Sequence, residues 1–318
     1  MSKNYNVLII GAGSIASDYD QKEDVHILTH AHAVLKSSNL SLLGFYDINY
    51  ENARKAADKW GVNAYRSLDD INETVDAVCC AVPDSCHYNV LCECIDLAGV
   101  KVVIGEKPIT QRSIQAQRVI TIYAAKDIQL IINYTRRYMD SFMRLKERIR
   151  FMGEFRVGYC EYGKGLIHNC SHMINLLEYL MGELELYSVG EKTYDYYPED
   201  PSVEFILKSG QKKIYFNPIP CHEVTVFEFE LFFEKGRVRY VDSDFIIEYF
   251  NLGESTVYEK EINYKLCKKE EIDISQALMG LYRNVYDVLE GKAFPLCSGN
   301  EAYRTLLLCE EILEKVEG

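Results

Sequence analysis

Short apolar runs alternate with longer amphipathic ones through the first part of the chain. Val7-Leu8-Ile9-Ile10 is an unbroken apolar strand, and Ser41 to Tyr46 is a second, ending at Asp47. Asn52 to Trp60 reads as a helix closed by Gly61, a residue suited to a left-handed cap. Val75 to Val82 is a strand stopped by Pro83, and Cys86 to Ala98 a helix closed by Gly99. Val100 to Ile104 is a strand, Ser113 to Lys126 a helix, and Ile128 to Ile132 a strand. Apolar runs without polar alternation suit strands buried on both faces. Their alternation with helices implies right-handed βαβ units around a parallel sheet.

The period changes after Tyr134. Tyr138 to Phe151 predicts a helix, and Glu154 to Tyr264 is dominated by strand-like runs, with hairpin signals at Lys208-Ser209-Gly210-Gln211 and Glu234-Lys235-Gly236-Arg237. Thr225 to Phe233 alternates as a half-exposed sheet strand does. Helices over Ser275 to Glu290 and Gly299 to Val316 finish the chain. The expected fold is an α/β Rossmann domain over 1–134, then an α+β domain over 135–318 with an open, mostly antiparallel sheet. The exposed face of that sheet would be an apolar patch unless covered, which implies a homodimer or homotetramer built on it.

The length of 318 residues fits two cores, and 48% hydrophobic with 26% charged residues fits an ordinary globular protein. A net charge of −13 argues against nucleic acid as a partner. No run reaches the roughly 18 to 20 apolar residues of a membrane helix, and Met1 to Asn6 lacks the order of a signal peptide. Eleven scattered cysteines, none in a Cys-x-x-Cys pair, suggest reduced thiols and a cytoplasmic protein.

Gly11-Ala12-Gly13-Ser14-Ile15-Ala16 fits G-x-G-x-x-A between a strand and a helical pattern. Gly11 permits the tight turn, Gly13 admits a pyrophosphate near the backbone and the helix N-terminus, and Ser14 and Ile15 line the same loop. Asp47 would accept hydrogen bonds from the adenosine ribose, which favours NAD over NADP as cofactor. It lies 36 residues after Gly11, beyond the usual ~20. The excess falls on an insertion near Ser17 to Leu28, either a lid or a solvated loop. Pro83 and His87 should shape the cofactor side of the cleft.

Val102-Val103-Ile104-Gly105-Glu106-Lys107-Pro108 ends an apolar strand in a charged triplet, where open parallel sheets hold their ligands. Lys107 could polarise a substrate oxygen and steady a developing alkoxide, with Glu106 beside the cofactor. His168 and His172 titrate near neutral pH, so either can take a hydroxyl proton. Their spacing of four also suits a metal, but Cys170 is the sole nearby third ligand and no metal is expected. Tyr134, Arg136 and Asn169 are candidate substrate contacts. Arg136 or Arg137 could hold a carboxylate or phosphate, or simply start a solvated helix. Structural roles are expected for His26, His30 and His32, and His222 carries no readable signal.

Together, Gly11 to Ala16, Pro83 with His87, and Glu106-Lys107-Pro108 resemble the glucose–fructose oxidoreductase / inositol dehydrogenase (Gfo/Idh/MocA) family. The resemblance extends over essentially the whole chain, including Gly165 to Gly182. It implies a bound nicotinamide cofactor, hydride transfer to or from a sugar-like or cyclitol alcohol, a catalytic Lys107 and a cis peptide before Pro108. His172 matches the family's histidine near the substrate hydroxyl and is the preferred base, with His168 orienting substrate or sharing the proton. Two positions depart: the family's usual aspartates are His168 and Asn175 here. The segment resembles a His-Asn-x-Ser-His subgroup associated with sugars of bacterial surface polysaccharides. The implied activity is that of an NAD-dependent dehydrogenase on a sugar, nucleotide sugar or cyclitol. Two alternatives are a non-catalytic NAD-binding sensor and an NAD-using lyase or hydrolase on the same fold.

Overall fold

Residues 3–220, 222–241 and 245–317 are described by the structure, a computed structural model. Met1, in the polar N-terminal stretch, and Cys221, next to His222, lie outside the described residues. The chain divides into two compact units, the first reaching Met139 and taking back Ser275–Arg304, the second Asp140–Ile274 with the C-terminal residues from Thr305.

The first unit is a six-stranded parallel sheet of β1 (Tyr5–Ile10), β2 (Leu40–Tyr46), β3 (Asn63–Tyr65), β4 (Ala77–Cys80), β5 (Val102–Gly105) and β6 (Gln129–Ile132), in the order β3-β2-β1-β4-β5-β6. This is the Rossmann order, whose switch point between β1 and β4 puts ligands at the strands' carboxyl ends. The helices are α1 (His30–Lys36), α2 (Tyr50–Trp60), α3 (His87–Cys94) and α4 (Ser113–Ala125). Gly61 closes α2 at φ +72°. The third helix stops short of Ala98 because the Ala98 carbonyl accepts from Val75 N, turning the chain back toward the sheet.

The division of the chain differs from a boundary at residue 134. Thr135–Tyr138 is a 3₁₀ turn held in the first unit by the Tyr138 hydroxyl on Ile132 O, so the expected helix from Tyr138 begins only at Asp140. The later helix Ala277–Leu289 returns to this unit. Gly280 packs so closely on Tyr138 O that a Cβ would lie 1.9 Å away, and Tyr282 bonds His30.

In the second unit, α5 (Asp140–Ile149) precedes β7 (Phe155–Tyr162), α6 (Ser171–Met181) and strands β8 (Glu185–Tyr197), β9 (Asp200–Ser209), β10 (Lys212–Pro218), β11 (Phe227–Phe233), β12 (Gly236–Val241), β13 (Ile246–Glu254) and β14 (Ile262–Glu271). The sheet runs β14-β13-β12-β11-β7-β10-β9-β8, antiparallel except for the β7–β10 pair. The closing helices are α7 (Ala277–Leu289) and α8 (Gly299–Glu317). One sheet face is core, with Tyr162, Phe205, Phe216, Leu231 and Tyr240 buried. The other is less apolar than expected. Tyr159 stacks on Tyr215 at 5.5 Å, and Phe232 packs nearby, but Glu230–Arg237 and Glu228–Arg239 pairs are interleaved. Among the described residues no helix is long and apolar enough to cross a membrane.

Candidate active site

At the end of β1, Gly11 has φ +93°, and a Cβ there would sit 2.3 Å from Ala81 O, so only glycine makes this turn. Gly13 is exposed, and a Cβ there would meet nothing within 4 Å, which leaves the open backbone a pyrophosphate needs. Ser14 is exposed and Ile15 half-buried. The expected helix behind this loop is one π-helical turn, Ser14–Asp18, so little helix dipole is available to the phosphates. Asp47 is fixed beside the loop: Ala12 N donates to one carboxylate oxygen and Asn49 N to the other, both at 2.9 Å. This donor and acceptor set fits a dinucleotide, with phosphates over Gly11 to Ile15 and ribose at Asp47.

The insertion is anchored at its base and solvated at its tip. Asp20 is buried and accepts from Leu28 N, Thr29 N and the Thr29 hydroxyl, and it pairs with His32 at 2.8 Å. Thr29 in turn caps α1 through His32 N. Gln21 to His26 are exposed.

The triplet after β5 is held from several directions. Glu106 accepts from His30 Nε2 at 2.8 Å and from Asn133 Nδ2 at 2.7 Å, while His30 Nδ1 meets the Tyr282 hydroxyl at 3.0 Å. Burial alone would depress the His30 pKa, but Cys79 and Glu106 outweigh it and push it up to about 10. Burial likewise works to raise the Glu106 pKa, and His30, Asn133 and the Lys107 charge reverse that, holding the carboxyl below its ordinary value. This is therefore a buried ion pair. Lys107 is half-buried, and its peptide to Pro108 is cis.

His87 lies among backbone carbonyls at the strand ends. It is buried, with Nδ1 2.6 Å from Pro108 O and Nε2 3.0 Å from Val82 O, bracing the ends of β4 and β5, while Pro83 is exposed. Tyr134 is also buried. Arg137 is buried against Glu301 and Leu296 O, which removes it from ligand binding, and Arg136 is half-buried beside it.

In the second unit Leu166–Cys170 forms a π-helical turn running into α6, with His168, Asn169 and His172 half-buried. His168 Nδ1 lies 2.7 Å from Asp200, whose carboxylate also accepts from Ile167 N and His168 N. The imidazole lies flat on Tyr197, centroids 3.9 Å apart at 18°. The amide nitrogen of Asn169 is committed to the carbonyls of Gly163 and Val226, a staple for the loop. Asn175 is buried in a chain of bonds through Thr305 to Glu178, so its departure from aspartate is a matter of core packing. Sequence reasoning missed Asp200, Tyr197, Asn133 and the partnership of His30. The one available signal was Tyr197-Pro198-Glu199-Asp200, a tight turn whose flanking pair becomes meaningful only with the β8–β9 register.

A strand order of 3-2-1-4-5-6 with an open glycine loop defines the first unit as a dinucleotide-binding fold. Residues 5–134 match the model of the Gfo/Idh/MocA oxidoreductase family, described as an NAD-binding Rossmann fold. The match is confined to these residues of the first unit, which resemble that family's Rossmann unit. The chain is 26% identical over 149 residues to YceM of Salmonella typhimurium, covering 47% of this chain and 45% of that protein. It is 31% identical over 101 residues to the glucose-6-phosphate 3-dehydrogenase of Bacillus subtilis, covering 32% and 25%. The chain thus spans less than half the length of these curated relatives. The solved UDP-N-acetylglucosamine 3-dehydrogenase GnnA of Acidithiobacillus ferrooxidans shares the fold at 18% identity and TM-score 0.80, over 99% of this chain and 98% of that one. The transcriptional regulator Gal80p of Kluyveromyces lactis does so at 13% identity and TM-score 0.79, over 99% and 90%.

Proposed function

We propose that this protein is an NAD-dependent dehydrogenase interconverting a secondary alcohol and a ketone on a sugar, nucleotide sugar or cyclitol. The observation that carries this reading is the seating of Lys107. It follows the carboxyl end of β5 in an NAD-binding fold, and its neighbours Glu106 and Pro108 are tied to His30, Asn133 and His87. The names of the B. subtilis and A. ferrooxidans proteins, both 3-dehydrogenases of sugar derivatives, support the substrate class.

Bound over Gly11 to Ile15, the dinucleotide would supply the hydride acceptor or donor. Asp47 would hold its ribose and disfavour a 2′-phosphate, hence NAD. The Lys107 ammonium donates to the reacting oxygen and stabilises charge that develops on it. His168 and His172 supply the hydroxyl side, where a proton must leave on oxidation. The ten described cysteines are free thiols and fit a cytoplasmic setting. The aromatic stripe of Tyr159, Tyr215 and Phe232 supports a homodimer or homotetramer, and light scattering at 36.7 kDa would remove that claim.

The test is NADH absorbance on purified protein against sugars, uronic acids, cyclitols and nucleotide sugars, with Lys107→Ala as control. Turnover lost in the variant is expected. Tight NAD binding with no turnover on any alcohol would favour a sensor instead.

A further inference from the structure

The β8–β9 hairpin turns on Pro198 and Glu199, and the pair flanking that turn, Tyr197 and Asp200, grips His168 from two sides. Asp200 is 3% exposed and takes two backbone N–H groups as well as the ring, so its carboxylate is fixed. Gly165 makes room for it: φ is +89°, and a Cβ there would lie 2.2 Å from the Asp200 carboxylate oxygen. Tyr197 covers one ring face, yet the His168 side chain keeps 35% exposure. A carboxylate on Nδ1 holds the proton at that nitrogen, so proton exchange with a substrate falls to Nε2.

We propose that the His168–Asp200 couple, rather than His172, exchanges the substrate hydroxyl proton, with Asp200 as the positioning residue that sets the tautomer. This rests on the dehydrogenase reading. In oxidation the O–H bond breaks and its proton forms a bond to Nε2. The O–H electron pair becomes the second carbon–oxygen bond as carbon loses hydride to the oxidised nicotinamide dinucleotide, the co-reactant of that reading. Asp200 offsets the charge gained by the ring. His172 then contacts the hydroxyl without taking its proton. The carboxylate missing from position 168 is thereby restored by a residue 32 positions away.

The test begins with the full-length protein labelled with ¹⁵N-histidine, its ring nitrogens read by long-range ¹H–¹⁵N correlation on the alkaline side of neutrality. The His168 signal is identified by its loss in His168→Gln. An Nδ1–H tautomer in the wild type supports the couple, and Nε2–H overturns it; neither result depends on turnover. In turnover, His168→Gln should lower kcat by about 10²- to 10⁴-fold with KM little changed. Asp200→Asn should lower kcat and lose the Nδ1–H signature, as an Asp to Asn change does in the Ser-His-Asp triad. A His168→Gln kcat within about threefold of wild type would overturn the proposal. If the wild type oxidises no alcohol, the dehydrogenase reading fails, while the tautomer still decides whether Asp200 orients His168.

Discussion

Besides His32–Asp20, which anchors the insertion, two histidine–carboxylate pairs of nearly equal length invite comparison, His30–Glu106 at 2.8 Å in the first unit and His168–Asp200 at 2.7 Å in the second. Each has a tyrosine partner, and the tyrosines differ in what they occupy. Tyr282 takes the second ring nitrogen of His30, which is wholly buried. Tyr197 takes the ring face of His168, which keeps a third of its side chain exposed. Saturating both nitrogens in a dry setting makes a fixed ion pair, suited to holding Glu106 and hence the backbone that carries Lys107. Covering the face instead makes an oriented ring that can still exchange a proton. The same two side-chain types thus serve rigidity in one place and chemistry in the other.

The largest expected effects come from breaking each pair and reading both stability and rate. His30→Leu leaves the largely buried Glu106 charge with Asn133 and the Lys107 charge as its remaining compensation, a loss of about 3 kcal/mol in urea unfolding. His168→Gln removes the ring N–H from Asp200 but leaves it the Ile167 and His168 backbone N–H groups, so it should cost about 1 kcal/mol, while it strips kcat. If the two variants lost stability equally, the contrast between a holding pair and a working pair would collapse.

The pH dependence sharpens the same contrast. His30 holds its proton more tightly folded than unfolded. Its contribution is therefore complete below the ordinary histidine value of about 6.5 and is lost as pH rises through about 10. Glu106 is depressed, so its contribution is present above its ordinary value of 4.5 and lost as pH falls through its lower folded value. The stability gap between wild type and His30→Leu should be widest near pH 5 to 6.5 and should close toward pH 10, as unfolding midpoints across that range would show. A gap constant from pH 6 to pH 10 would mean that His30 acts by packing alone.

What was legible in the sequence follows from where the information is local. Five strands of the first sheet read directly because burial makes them apolar runs, with Gly11 and Gly61 as punctuation where positive φ is required, whereas the short, half-exposed edge strand Asn63–Tyr65 was not seen. Phe227 to Phe233 read as a strand because its burial alternates. The helix His30–Lys36 was not seen: its residues His30 to Val34 are all buried, so no polar stripe marks a helical period. Both histidine–carboxylate pairs were invisible for another reason. His30 and Glu106 are 76 residues apart, and His168 and Asp200 32, so only topology and register join them. Asn175, noted as a departure from the usual aspartate, is buried against Thr305.

Two glycines with like backbone angles test how far Asp200 depends on its space. Gly165 has φ +89° with the Asp200 carboxylate against it, and Gly182 has φ +90° with nothing within 4 Å. Alanine at either carries a penalty of about 1 to 3 kcal/mol for a positive-φ, extended conformation that is essentially glycine's alone. Gly165→Ala must in addition displace the carboxylate, so it should lower kcat at least about 10-fold by loosening His168. Gly182→Ala should lose comparable stability and keep its rate. Equal kcat in the two variants would detach Gly165 from the chemistry.

The smallest expected effect concerns a third carboxylate that has no histidine. Asp47 is held by Ala12 N and Asn49 N, so backbone rather than a cation fixes it, and its charge remains available to repel a 2′-phosphate. Asp47→Asn keeps one accepting oxygen for the loop and removes the charge. NADPH binding should therefore strengthen and NADH binding weaken, each by roughly 1 kcal/mol or several-fold, as read from Kd values by nucleotide fluorescence titration. Because screening by salt weakens the repulsion of a half-exposed charge, the shift should be larger at low ionic strength. If the ratio of the two Kd values were unchanged, Asp47 would be a loop anchor like Asp20. Cofactor choice would then have to come from the backbone shape between Gly11 and Ile15.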